Sequence, residues 1–196
     1  MAKQKLDILK RSVTLEGFTP IMFDRYAGDN KTQLPVEEKL YFIPGTRRLC
    51  IPSANVKSFL CAENTTSVAK LIGGKAYKAL AGAMNSFVQI EPFFIPLERD
   101  GQPIEFGGFV DGEDAESGII IHHAVARLPK GIPNPKERPM LNLPWELSFT
   151  ISLYRNDTVD ETLLRTAFQQ GGIALGLGTY RGQFGKFFVR TWSDIE

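Results

Sequence analysis

Between Gly171 and Gly185 the chain runs GGIALGLGTYRGQFG, six glycines in fifteen residues, with Tyr180, Arg181 and Phe184 among them and Lys186 next. Residues of these types at this spacing can hold a polyanion. A backbone stripped of side chains brings amide N–H groups close to phosphate oxygens, and Arg181 and Lys186 add positive charge at the same place. Tyr180 and Phe184 offer ring faces on which bases stack, worth about 1–3 kcal/mol per base. Such glycine density needs a reason, because glycine loses the most conformational entropy on folding. Two reasons are open: positive φ values in a folded-back loop, or a backbone bared for something else to approach. A helix C-cap explains one or two glycines, not six.

The flanks say which elements carry this stretch. Upstream, TVDETLLRTAF is predicted to be a helix, with Val159, Leu163, Ala167 and Ala174 near helical spacing and Thr158 with Glu161 as a candidate capping box. Downstream, KFFVRTW is rich in aromatic and β-branched residues and is predicted to be a strand. Nucleotide-phosphate loops follow a strand and open a helix, the reverse of this order. The string G-x-x-x-x-G-K-[ST] is also absent from the sequence, so no nucleotide cofactor is expected.

At 196 residues, 43% of them hydrophobic, the chain is expected to form one domain, 1–196, with a sizeable core. The net charge of +1 is a sum of segregated patches. Between Arg47 and Lys78 stand Arg47, Arg48, Lys57, Lys70, Lys75 and Lys78 against Glu63 alone, whereas Glu98–Glu116 holds seven acids and one arginine. Such segregation can still give a basic face. Cys50 and Cys61 fit a reducing compartment and exclude a four-cysteine zinc site. His122 and His123 are adjacent in an apolar run; on a strand they point to opposite faces and cannot share a metal, and no metal site is expected. MAKQKLDILK lacks an apolar signal region and no run reaches membrane-spanning length, so the expectation is a soluble, cytoplasmic protein with no membrane partner.

Along the chain, RSVTLEGF alternates and is predicted to be a strand, and DRYAGDNKTQLP a polar loop. KLYFI and RRLCI flank a Pro44-Gly45-Thr46 turn. Pro52 starts a helix with Ser53 as candidate N-cap, and a second helical piece spans roughly Lys75–Met84. SFVQIEPFFIPL, IEFGGFV and GIIIHHAVARL are strand-like. PKGIPNPKERPMLNLP, with five prolines, is expected to be irregular. WELSFTISLYR shows the clearest alternation. With insertions at about 24–50 and 98–144 removed, the order suits an α+β, ferredoxin-like (RRM-like) fold. That fold is an antiparallel sheet with two helices on one face, and here a glycine-rich loop precedes the last strand. In RNA-recognition domains the other sheet face meets RNA.

A glycine-rich loop between the second helix and last strand of such a domain resembles that of the RAMP superfamily, the RNA-binding proteins of CRISPR systems. IPSANVKSFL also resembles the IPGSSLKG-type string that opens the first helix in many of the family's backbone subunits. Ile51, Pro52, Ser53 and Lys57 hold matching positions, and Ala54 departs from the usual glycine or serine. The resemblance implies a guide-RNA-binding backbone subunit in an antiviral-defence ribonucleoprotein. Its partners would be single-stranded guide RNA and further copies of itself or related subunits, stacked head-to-tail. From the two motifs, and from the charges and rings beside them, the candidate RNA-binding residues are Arg47, Arg48, Ser53, Lys57, Gly176, Gly178, Tyr180, Arg181, Gly182, Gly185 and Lys186. The family's RNA-processing ribonucleases use a histidine near the first helix, and none precedes His122 here. Some backbone subunits cut target RNA with an aspartate after the first strand, a place Asp24 or Asp29 could take. Three readings therefore stand: a non-enzymatic RNA-binding subunit, which is favoured; a metal-dependent endoribonuclease using one of those aspartates; or a protein–protein assembly module without RNA.

Overall fold

The central strands Ile8–Gly17 and Glu146–Tyr154 and the helices Ser53–Cys61 and Glu161–Ala174 form where alternation and helical spacing place them. The computed structural model describes residues 7–29, 31–127 and 133–195, the side chains of 126 and 127 apart. In chain order the elements are β1 (Ile8–Gly17), β2 (Ile21–Met22), β3 (Cys50–Pro52), α1 (Ser53–Cys61), α2 (Val68–Gly73), α3 (Tyr77–Phe87), β4 (Val88–Glu91), β5 (Phe94–Arg99), β6 (Gln102–Pro103) and β7 (Glu113–Asp114). There follow β8 (Ile119–Arg127), β9 (Pro133–Leu141), β10 (Glu146–Tyr154), α4 (Glu161–Ala174) and β11 (Phe187–Asp194).

In the main sheet β1 lies between β11 and β10, and β4 pairs with the far side of β10. All of these pairings are antiparallel. Last strand, first, third, second, with helices in the two crossovers, is the ferredoxin-like order, so the fold is α+β as the sequence implies. β5 continues along β10 beyond β4 and carries β3 and β6. A second sheet runs β2–β9–β8–β7.

One face of the main sheet is apolar and covered. Val13 and Leu15 of β1 and Leu147, Phe149 and Ile151 of β10 pack with Val56, Phe59, Leu164 and Phe168 of the helices in one buried cluster. Phe168 lies 5.8 Å from Phe59 and 6.0 Å from Phe149, ring centre to ring centre. The alternate residues face the other way: Thr14 and Ser148 share a hydroxyl hydrogen bond of 3.1 Å, and Phe188, half exposed, stacks on Phe18. That face carries hydroxyls at Ser12, Thr14, Ser148 and Thr150 and an ion-paired group of Glu16, Glu146 and Arg190.

Several local expectations are corrected. Asp160, not a Thr158–Glu161 box, caps α4, its carboxylate accepting from the Leu163 N–H at 2.7 Å. Pro52 occupies the N-cap position of α1, and Ser53 is the first helical residue. The second helical piece is α3, and α2 before it was not foreseen. SFVQIEPFFIPL is split at Pro92 into β4 and β5, whereas IEFGGFV forms no strand, only isolated bridges from Glu105 to Arg48 and from Val110 to Glu113. The proline-rich segment is β9 over 133–141; residues 128–132 lie outside the described ones. Pro133, Pro135 and Pro139 share one parity, and the Pro139 carbonyl accepts from Phe23, on the side away from β8. Their missing N–H groups therefore fall on the edge that the ladder with β8 does not use.

The acidic stretch is exposed at Asp111, Glu113 and Glu116 but not at Asp114. That buried carboxylate accepts from the Ser117 hydroxyl (2.6 Å) and the Gly107 N–H (2.8 Å). Burial works to raise its pKa, but these bonds and those from the Ser117 and Glu116 amides together hold it below the usual range.

Glu161, at the start of α4, fastens the helix to the sheet. It accepts from Arg11 Nε (2.6 Å) and Nη2 (2.9 Å) and from Trp192 Nε1 (2.9 Å), and Arg11 also pairs with Asp194. The Arg11 hydrogen bond, opposed by burial and aided by Trp192, holds the carboxyl below the usual glutamate range. Its stabilisation is complete above the unfolded value of about 4.3 and is lost as pH falls through the lowered folded value. Glu161→Gln should cost about 1–3 kcal/mol at neutral pH. In urea titrations the gap to the wild type should close in acid, where the wild-type carboxyl is also neutral.

Candidate nucleic-acid interface

The glycine stretch divides into a helical part and a true loop. Gly171 and Gly172 lie in α4, where a Cβ on the first would meet Val68 and come within 2.6 Å of Phe59, and one on the second would lie 2.5 Å from the Phe187 carbonyl. They let α4 pack at backbone distance. Gly176, Gly178, Gly182 and Gly185 all have φ between +69° and +91°. A Cβ on Gly176 would lie 2.6 Å from the Gly185 carbonyl group, one on Gly178 would strike the Met22 carbonyl, and one on Gly185 the Leu177 carbonyl. Gly182 alone of the four is open, its nearest neighbour being the Ala174 oxygen at 3.9 Å. Folding back on itself is what the loop chiefly uses its glycines for.

Backbone hydrogen bonds hold that shape. Leu177 N–H donates to Gly185, Gly182 N–H to Leu175, Thr179 N–H to Met22, and Gly185 N–H to Pro20. Lys186 N–H donates to the Thr19 hydroxyl, and buried Trp145 donates its indole N–H to the Thr19 carbonyl at 2.9 Å. The loop is thus stitched to the turn between β1 and β2, and β2 in turn pairs with β9.

Three segments converge as a result. Tyr180, with φ +57° and 45% exposed, sits with its ring 5.6 Å from the Arg138 guanidinium of β9 and 6.3 Å from the Phe184 ring. Phe184 packs edge-on against His122 of β8 at 5.6 Å, and His122 is the cross-strand partner of Arg138. Arg138 Nε donates to Asp24 Oδ2 at 2.7 Å, in the segment after β2. Asp24 also borders an open cleft of about 500 Å³ with Tyr26, Thr32, Lys39 and Lys136. His123, one residue along, faces the other way toward Glu137 at 3.4 Å.

The remaining sequence-derived residues are spread around the molecule. Arg181 reaches the Thr66 carbonyl (3.0 Å), and burial lowers its pKa. Among the described residues the Lys186 side chain makes no hydrogen bond or ion pair. Lys57 turns inward, its ammonium donating to the Met84 and Val88 carbonyls where α3 ends; burial lowers its pKa, with a smaller opposing effect from Cys61. Ser53 donates its backbone N–H to Phe93. Arg47 lies over the Phe106 ring at 4.9 Å and donates to the Phe106 carbonyl, while Arg48 pairs with Glu105 at 3.0 Å. Asp29 closes its own turn, accepting from the Thr32 amide and hydroxyl and the Lys31 amide, and those bonds lower its pKa. Among the described residues no three His, Cys, Asp or Glu side chains are grouped to hold a metal ion. Arg138 was not singled out from the sequence; a lone arginine in a proline-rich run carries no signal there.

The fold and this surface describe a ferredoxin-like α+β protein with a glycine loop docked beside the β8–β9 ribbon. No protein-family model matches the chain, and no curated protein matches it. Among solved structures it is similar to a chain of the Type III-B Cmr-beta complex bound to cognate target RNA, determined by cryo-EM, with a TM-score of 0.59 and 13% identity. The match covers 96% of this chain and 61% of that one, so this chain spans about three-fifths of the length of the chain it matches. Among the described residues no helix is long and apolar enough to cross a membrane.

Proposed function

We propose that the chain is an RNA-binding structural subunit of a CRISPR effector complex, of the guide-RNA backbone type. In this reading residues 1–196 form one RAMP-like domain, with insertions at about 24–50 and 98–144. The domain binds single-stranded guide RNA and stacks head-to-tail with copies of itself or related subunits. The observation that carries the reading is Tyr180. A tyrosine in the left-handed region costs about 1–2 kcal/mol relative to glycine, yet the loop keeps one there, half exposed, beside Phe184 and Arg138. Rings and a guanidinium together at an exposed loop suit a base stacked beside its phosphate. The shared fold with a chain of an RNA-bound complex supports the same reading. In this reading RNA meets the glycine loop, through Tyr180, Arg181, Gly182 and Lys186, rather than the open sheet face. Arg47 and Arg48 are already held by the Phe106 carbonyl and by Glu105 and carry no contact in this reading.

Anisotropy titration of a labelled single-stranded oligouridylate tests this. Tyr180→Ala should weaken binding about tenfold, the scale of one lost base–aromatic stack, while leaving the melting curve nearly unmoved. Absence of wild-type binding at low salt overturns the proposal.

A further inference from the structure

Four arginines of this protein are held by carboxylates. Arg11 is held by Glu161 and Asp194, Arg48 by Glu105, Arg155 by Asp7 and Arg190 by Glu16 and Glu146. Arg138 differs. Its side chain is only 12% exposed, yet among the described residues just one of its five N–H groups, that on Nε, has a hydrogen-bond partner, Asp24. The four terminal N–H groups have no partner among the described residues and reach solvent at a surface shared with the exposed Tyr180 ring.

We infer that Arg138 is a phosphate-binding residue of this surface, and that Asp24 is an internal place-holder occupying the anion site until RNA arrives. The inference rests on the RNA-binding reading and adds to it a residue and a way of regulating access. A guanidinium presents a planar fork that matches two phosphate oxygens, and this one is already ordered by its packing on β9 opposite His122 and under Tyr180. Binding therefore costs little side-chain entropy. The Asp24 side chain is 33% exposed and stands in a segment, 23–29, with neither helix nor strand, so it can turn to solvent when a phosphate replaces it. One anion is exchanged for another, and Arg138 is never left charged without a counter-ion, which is the costly state for a covered arginine. Tyr180 and Phe184 then offer their rings to the base beside that phosphate.

Arg138→Gln and Asp24→Asn test this, with binding of labelled oligouridylate measured at low and at physiological salt and a melting curve for each protein. Arg138→Gln should weaken binding about tenfold, as for one lost charge-assisted contact, and should shallow the salt dependence by about one unit of slope. Asp24→Asn removes the competitor and should tighten binding by about threefold, as removing an occluded state does. An Arg138→Gln protein that binds with wild-type affinity and slope overturns the inference. So does an Asp24→Asn protein that melts like the wild type but binds more weakly, or one that merely loses a Mg²⁺-dependent cleavage the wild type shows. If Arg138→Gln does not fold, the sign of the Asp24→Asn effect decides alone. A wild type that binds no RNA overturns the parent reading; a wild type that binds while neither variant changes overturns this inference and leaves the parent standing.

Discussion

Gly185→Ala should lower stability by about 2–5 kcal/mol, the sum of a left-handed backbone penalty and a forced overlap in a packed site. Gly185 is buried at φ +69°, and its missing Cβ would fall on the Leu177 carbonyl oxygen, which is backbone and cannot step aside as the end of a flexible side chain could. In a chain of this length that is a fall of about 5–15 °C in Tm. Gly182→Ala is the control. It shares the positive φ but faces open space, so it should lose about 1–2 kcal/mol from the backbone alone. Equal melting curves for the two variants would mean that the loop does not fold back as described. RNA affinity per folded molecule should respond the other way, more to the exposed Gly182 than to the buried Gly185.

Trp145→Ala should cost about 3–5 kcal/mol, because the indole is fully buried and its loss leaves a large cavity. Gly17 makes room for that ring; a Cβ there would strike it. Its N–H adds a second function, holding the Thr19 carbonyl, while the Thr19 hydroxyl holds Lys186 N–H and Pro20 holds Gly185 N–H. Trp145→Phe keeps most of the apolar volume and drops only that hydrogen bond, so it should cost about 1–3 kcal/mol. Amide exchange at Gly185 and Lys186 should speed up in Trp145→Phe more than exchange in the middle of β10. Unchanged exchange at those two amides would uncouple the tryptophan from the glycine loop.

Much of the fold was legible because it is written in local periodicity. The strict alternation of β1 and β10 sends Val13, Leu15, Leu147 and Phe149 to one face, and a sheet with one covered face follows from that pattern. The order strand, helix, strand, strand, helix, strand then leaves few ways to join them. Where local rules compete, the reading failed. Proline argues against a strand, yet β9 forms, since three prolines of one parity leave a single edge without donors. Four acids crowd residues 111–116, yet Asp114 is buried among them because Ser117 and Gly107 satisfy its oxygens.

The sequence by itself determined that the chain ends helix, glycine loop, strand, and that aromatic and basic side chains sit in that loop. It determined the α+β order for the same reason: both are properties of neighbours along the chain. Only the tertiary structure decided what each glycine is for, since that depends on which distant backbone, at Met22, Leu177 or Gly185, comes within reach of the missing Cβ. It also brought Asp24, His122, Arg138 and Tyr180, more than 150 residues apart at the extremes, to one surface. No spacing in the sequence marks such a group, because the pairing of β2 with β9 and of the loop with Met22, not distance along the chain, sets who meets whom.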